Sequence, residues 1–154
     1  MSEKTGPGAS PLSAEDLRMM ILRKEMEKAE EARGAREAEE QKHAEFARDF
    51  LQNHVTEAEI AMVKRLVMHA VKDGRMEAMV YSFPSTLCTD GGRAINNGDP
   101  DWPGTLQGKA KELFEGYERV ARPQGYRLKA MVINFPGGFP GDIGFFLNWA
   151  PPAV

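Results

Sequence analysis

Cysteine is almost missing from this chain: Cys88 stands alone among 154 residues. A single thiol excludes an intramolecular disulfide framework and any metal site built on several thiolates. An excess of one charge is lacking too. Twenty Lys and Arg face 23 Asp and Glu, a net charge of −3. That is too slight to point to nucleic acid, a membrane surface or another polyelectrolyte partner. Long apolar runs are absent. The longest are about five residues, Met19-Met20-Ile21-Leu22 being typical, against the roughly 20 that span a bilayer. The same stretch is too short for the apolar segment of a secretory signal. The three histidines, His43, His54 and His69, stand at no metal-ligating spacing. Asp99 and Asp101 lack the Gly and Glu positions of a calcium loop. The expectation is a cytoplasmic protein with no membrane segment and no metal.

What is there divides into two unlike pieces. Residues 1–55 carry only Phe46 and Phe50 of the aromatics, whereas residues 56–154 carry both Trp, all three Tyr and the remaining Phe. A packed core therefore belongs to the second piece. Residues 1–12 are rich in Gly, Pro and Ser and are expected to be a disordered tail. Residues 13–52 read as a long charged helix, opened by a Ser13–Asp16 capping box and filled with Glu, Lys, Arg, Ala and Gln. Apolar residues gather at its ends, Leu17, Met20 and Ile21 at one and Phe46, Phe50 and Leu51 at the other. A sustained heptad seam is absent. This helix is expected to be an interaction or oligomerisation arm, offering its apolar ends to a protein partner or to a second copy.

Residues 56–150 read as a small α/β domain. Thr56 and Glu59 form a second capping box at the head of an amphipathic helix that Asp73-Gly74 stops. Arg75–Phe83 alternates and reads as a strand ended by Pro84. A helix follows over 105–122, and strands over 126–135 and 143–149 form a hairpin through the Pro136–Gly141 turn. The fold class is α+β: a long polar helix followed by a two-layer sandwich of order helix–strand–helix–strand–strand. Its three-stranded mixed sheet ends in a C-terminal hairpin and carries two helices on one face. The other face is expected to expose Met79, Met131 and Ile133.

The connection over 84–103 is the most informative stretch, because twenty residues without regular structure are unusual in so small a domain. Thr89, Asp90, Gly91, Gly92, Arg93, Asn96 and Asn97 are the candidate ligand-binding residues. Consecutive amides around two glycines, beside an arginine, can cradle a small anion. The spacing fits neither a P-loop nor a dinucleotide fingerprint. Phe-Pro recurs at 83–84, 135–136 and 139–140. Two of these pairs follow neighbouring strands, which sets the 84–103 loop and the 136–142 turn on one surface. Trp102 and Phe139 are its expected aromatic anchors, and with Leu17, Met20, Ile21, Phe46 and Phe50 they are the candidate partner-contact residues.

The leading expectation is a non-enzymatic interaction or regulatory module, binding a partner or a small anion through this surface. A small enzyme with Cys88 as nucleophile and His69, Asp90 and Arg93 nearby is the alternative, although no cysteine-hydrolase signature surrounds Cys88. The element order is similar, in topology alone, to that of the C-terminal domain of bacterial translation initiation factor three. That resemblance implies an RNA- or ribosome-binding module as a second alternative. The basic surface of that domain is missing here, because residues 56–154 hold equal numbers of acidic and basic side chains.

Overall fold

A computed structural model describes residues 12–152, so the expected tail over 1–12 lies outside the described residues except for Leu12. Helix α1 runs over Ala14–Gln52. Its capping box forms as expected: the Asp16 amide donates to Ser13 Oγ at 3.0 Å and the Ser13 amide to Asp16 Oδ2 at 3.3 Å. The chain divides after Glu45 into two compact units. In the first, every described side chain of α1 is exposed, the result of a sequence too polar to bury a face.

The second unit begins with the last turns of α1. Helix α2 follows over Glu57–Lys72, strand β1 over Glu77–Pro84, the one-turn helix α3 over Arg93–Asn96 and helix α4 over Gly108–Gly116. A π-helical turn over Tyr117–Ala121 continues α4, after which come strand β2 over Arg127–Val132 and strand β3 over Asp142–Asn148. The expected helix over 105–122 is therefore shorter and changes character at Tyr117. The α+β class, the two covering helices and the C-terminal hairpin are as expected.

The mixed sheet is corrected. Strand order is β1-β3-β2, and both ladders are antiparallel, pairing Phe83 with Ile143 and Leu128 with Leu147. Strands β1 and β2 do run parallel to each other, as a crossover through α4 requires. The hairpin strand lies between them, so they never pair.

Pleat parity sorts the sheet into two faces. Ile143, Phe145 and Leu147 of β3 share one with Leu128, Ala130 and Val132 of β2 and with Ala78, Tyr81 and Phe83 of β1. This face meets α2, α4 and the end of α1. Phe50 packs at a tilt against Phe83, ring centroids 5.4 Å apart, and Phe83 meets Phe145 edge-on at 5.4 Å. Phe50 is only 1% exposed. It belongs to the core, which corrects its placement among partner contacts: the helix end carrying it folds onto the sheet and Phe50 is the residue facing inward.

The opposite face is uncovered, with Met79, Met131 and Ile133 exposed as expected. It is partly self-covering. A Cβ on the central Gly144 would meet Met79 Sδ at 2.8 Å and both Ile133 Cγ2 and Phe146 Cε2 at 3.0 Å, so three side chains close over the glycine. Beside them Lys129 pairs with Glu77 at 3.3 Å and lies over the Phe146 ring.

Candidate functional site

The 84–103 connection is built rather than loose. Ser85 is buried; its amide donates to the Gly141 carbonyl at 2.8 Å and its Oγ to the Pro140 carbonyl at 3.0 Å. The start of the loop and the 136–141 turn thus meet at one end of the sheet. Gln107 Nε2 donates to the Leu87 carbonyl and the Thr89 amide to the Thr105 carbonyl, both at 2.9 Å, which pins the two ends of the loop together.

Within it, the amides of the expected anion cradle already have partners. The Asp90 carboxylate accepts from the Gly92 and Ala94 amides, each at 2.9 Å, and the Gly91 amide donates to the Cys88 carbonyl. The chain supplies its own anion at this place. Gly92 is required there: its φ is +87°, and a Cβ would meet Ser85 Cβ at 3.0 Å. The side chains of Thr89, Arg93, Asn96 and Asn97 are exposed, and Arg93 makes no ion pair with any described residue, Asp90 included. Phe139 projects outward at 75% exposure. Trp102 does not project: it is half-buried against Phe114 at 5.3 Å and Phe145 at 6.1 Å, closing the edge of the core.

Cys88 is buried, and burial pushes its thiol up to about 11, Asp90 adding to the rise and a hydrogen bond with Thr105 opposing it. A nucleophilic cysteine needs the opposite shift. His69 is engaged elsewhere, 3.7 Å from Asp73 at the end of α2. Among the described residues no group of three or more His, Cys, Asp and Glu is placed to hold a metal ion, and no described helix is long and apolar enough to cross a membrane.

Sequence reading missed two features, both around α4. The first is Lys109, whose side chain is 4% exposed while its ammonium donates to Asp49 Oδ2 at 2.7 Å and Glu59 Oε1 at 2.8 Å. Burial alone depresses a lysine, but these two carboxylates outweigh it and hold Lys109 above its ordinary value. Glu59 is raised by burial and lowered more by Lys109 and Thr56, so it stays below the usual carboxylate range. Asp49 is lowered first by Asn53 and then by Lys109. One turn on, Glu112 accepts from the Val55 amide at 2.9 Å and pairs with His54 at 2.8 Å. Burial raises Glu112, and the contacts from His54 and Val55 bring it below its ordinary value. Lys109 and Glu112 thus tie α4 to the end of α1 and the start of α2. A charge-stabilised lysine of this kind is a structural tie rather than a nucleophile.

The second feature is a cleft of about 470 Å³ between α2 and the α4–π element. The sheet forms its floor through Val80, Leu128, Phe145 and Leu147. Ile60 and Val63 line the α2 wall, and Leu113, Tyr117 and Val120 the opposite one. Its size and apolar lining are those of small-molecule sites, which range over roughly 300–1,000 Å³. Gly116 sits in the α4 wall with ordinary helical dihedrals, φ −63° and ψ −40°. A Cβ there would find nothing nearer than Arg119 Nη2 at 4.0 Å. A glycine inside a helix, where its freedom is unused and costs stability, keeps this part of the cleft open. The π turn begins at the next residue, a distortion that recurs at functional sites. Tyr81 lines the cleft as well; burial raises its phenol, and the charges of Glu59 and Asp49 add to the rise.

A second recess, of about 570 Å³, lies on the other flank of α4 and is lined by Trp102, Phe114, Tyr117 and Tyr126 with Arg122 and Arg127. It is wider open, and its arginines are engaged, Arg127 with Asn148 and the Ala150 carbonyl, Arg122 with Glu118. The cleft between α2 and α4 is the better-formed site. Comparison with known proteins supplies no relative for it: no family model matches the chain, and neither a curated protein nor a solved structure does.

Proposed function

We propose that residues 46–152 form a non-enzymatic binding module whose ligand site is the cleft between α2 and the α4–π element. The observation that carries this reading is an apolar cleft between two helices, floored by core side chains of the sheet, whose helix wall bears a glycine with space in front of it. The cleft's volume of about 470 Å³ is of the size that small molecules occupy. This reading moves the site away from the 84–103 loop, where Asp90 already occupies the Gly92 and Ala94 amides. Burial of the Cys88 thiol, which raises it, supports this reading over the Cys88 enzyme.

Nile red, an uncharged dye that brightens in apolar surroundings, tests it. Fluorescence is expected to rise with the wild-type protein and to fall to background with Gly116→Phe, the near-ultraviolet circular dichroism being unchanged. Equal dye binding by both proteins overturns the cleft as the site.

A second reading concerns α1, proposed as the arm that engages a protein partner or a second copy in a cytoplasmic setting. Leu17, Met20 and Ile21 are 49%, 55% and 61% exposed near the start of a largely polar helix, and such clusters mark interaction surfaces. Sedimentation of the full chain is expected to show association that Leu17→Ser/Ile21→Ser abolishes. A monomer at all concentrations, with partner capture unaltered by the same change, refutes it.

A further inference from the structure

We infer that the cleft takes a small amphipathic monocarboxylate, an acid with an apolar body. The inference rests on the binding-module reading and adds to it the chemistry of the ligand's head. Two cations, Lys64 from α2 and Arg119 from the π turn, line the cleft from opposite walls. Both are exposed, and neither makes an ion pair or hydrogen bond with any described residue. The one carboxylate that lines the cleft, Glu112, is occupied by the Val55 amide and His54. Two cations therefore stand at the rim above an apolar floor. Arg119 folds back over Gly116, its Nη2 4.0 Å from where a Cβ would stand, so the guanidinium lies on the cleft side of the helix. A planar oxyanion suits that fork. An apolar ligand without a head leaves both cations in water and gains nothing from them. A cationic head is repelled.

Isothermal titration of the full chain with octanoate, octanol and octyltrimethylammonium, all below their aggregation concentrations, tests the inference. Octanoate is expected to bind at least fivefold more tightly than octanol, and octyltrimethylammonium most weakly. In Lys64→Gln/Arg119→Gln, two exposed positions whose change does not threaten folding, octanoate and octanol are expected to become equal. In Gly116→Phe, binding of all three is expected to disappear. Equal affinities for octanoate and octanol in the wild type, or a preference for the cation, overturn the carboxylate head and leave the cleft standing. Absence of binding by all three, with no Nile red signal, overturns the cleft itself.

Discussion

Helix α4 begins and ends with glycine, and the same substitution at its two ends is expected to change stability in opposite directions. Gly108 has a φ of +55°, and a Cβ there would fall directly on the Phe50 carbonyl oxygen, with Phe50 C and Cδ1 both at 2.9 Å. Alanine would carry two penalties. The left-handed backbone costs an L residue ~1–2 kcal/mol, and forcing a methyl against a carbonyl that cannot swing away adds roughly 1–3 kcal/mol. Gly108→Ala should therefore lose about 3 kcal/mol. Gly116 has helical dihedrals and open space, so Gly116→Ala should gain roughly 0.5–1 kcal/mol through helix propensity alone. For a domain near 100 residues each kcal/mol moves the melting temperature by about 4 °C, giving about −12 °C and +3 °C. The assay should follow Trp102 and Trp149 fluorescence, because both indoles lie in the second unit and the long α1 dominates far-ultraviolet dichroism. A Gly108→Ala melt within two degrees of wild type would refute the contact between the start of α4 and the last turn of α1. A destabilised Gly116→Ala would refute the open wall.

Acid unfolding should be governed by the ties around α4. Glu59 and Glu112 are held below their ordinary value of 4.5, so their contribution is present above that pH and is lost as pH falls through their folded values. Lys109 is held above 10.5, so its contribution is present below that pH and is lost as pH rises through its folded value. Stability should be nearly flat between about pH 5 and 10 as far as these groups are concerned; Glu59→Gln should flatten the acid limb in urea titrations, and an unchanged limb contradicts the assignment. Lys109→Met should cost about 2–3 kcal/mol, less than the ~3–5 of a fully sealed pair, because its carboxylates reach water; a neutral effect in the same titrations would show that the tie is dispensable. Iodoacetamide should label Cys88 slowly at neutral pH, where a thiol pushed to about 11 is protonated and buried. The rate should rise only with unfolding in urea, and fast labelling of the folded protein would reopen the nucleophile alternative.

Local signals were legible in the sequence, and long-range ones were not. The Thr56–Glu59 capping box appears as read, the Glu59 amide donating to Thr56 Oγ1 at 3.1 Å and the Thr56 amide to Glu59 Oε1 at 2.9 Å. Ser13 and Asp16 behave likewise, since a cap is decided by residues three apart. The expected strand over 126–135 stops at Val132 because Asn134 leaves the ladder, its side chain bonding both the amide and the carboxylate of Asp142. Asparagine competes with strand pairing in this way, and its presence at 134 was the available signal. The strand order was not legible: alternation marks which residues form strands and is silent on which strand lies between the others. Lys109 was hidden for a similar reason. A lysine in a helix reads as solvated, and its burial depends on Asp49 and Glu59, sixty and fifty residues earlier in the chain. The cleft leaves only one sequence trace, a glycine at 116 inside an otherwise helical pattern.

The central position of β3 has a consequence for how the molecule is made. Both ladders run through this strand, and it is the last of the three to be synthesised. Until residue 148 has left the ribosome, β1 and β2 have no strand to pair with, and the apolar faces of α2 and α4 have no complete floor to settle on. Pairing β1 with β3 must also close a loop of some sixty residues, from Glu77–Pro84 to Asp142–Asn148, an entropic demand that slows folding in chains dominated by distant contacts. Until β3 is made, β1 stays unpaired and Phe50, Phe83 and Tyr81 lack their strand partner, an interval in which aggregation or capture by a chaperone competes with folding.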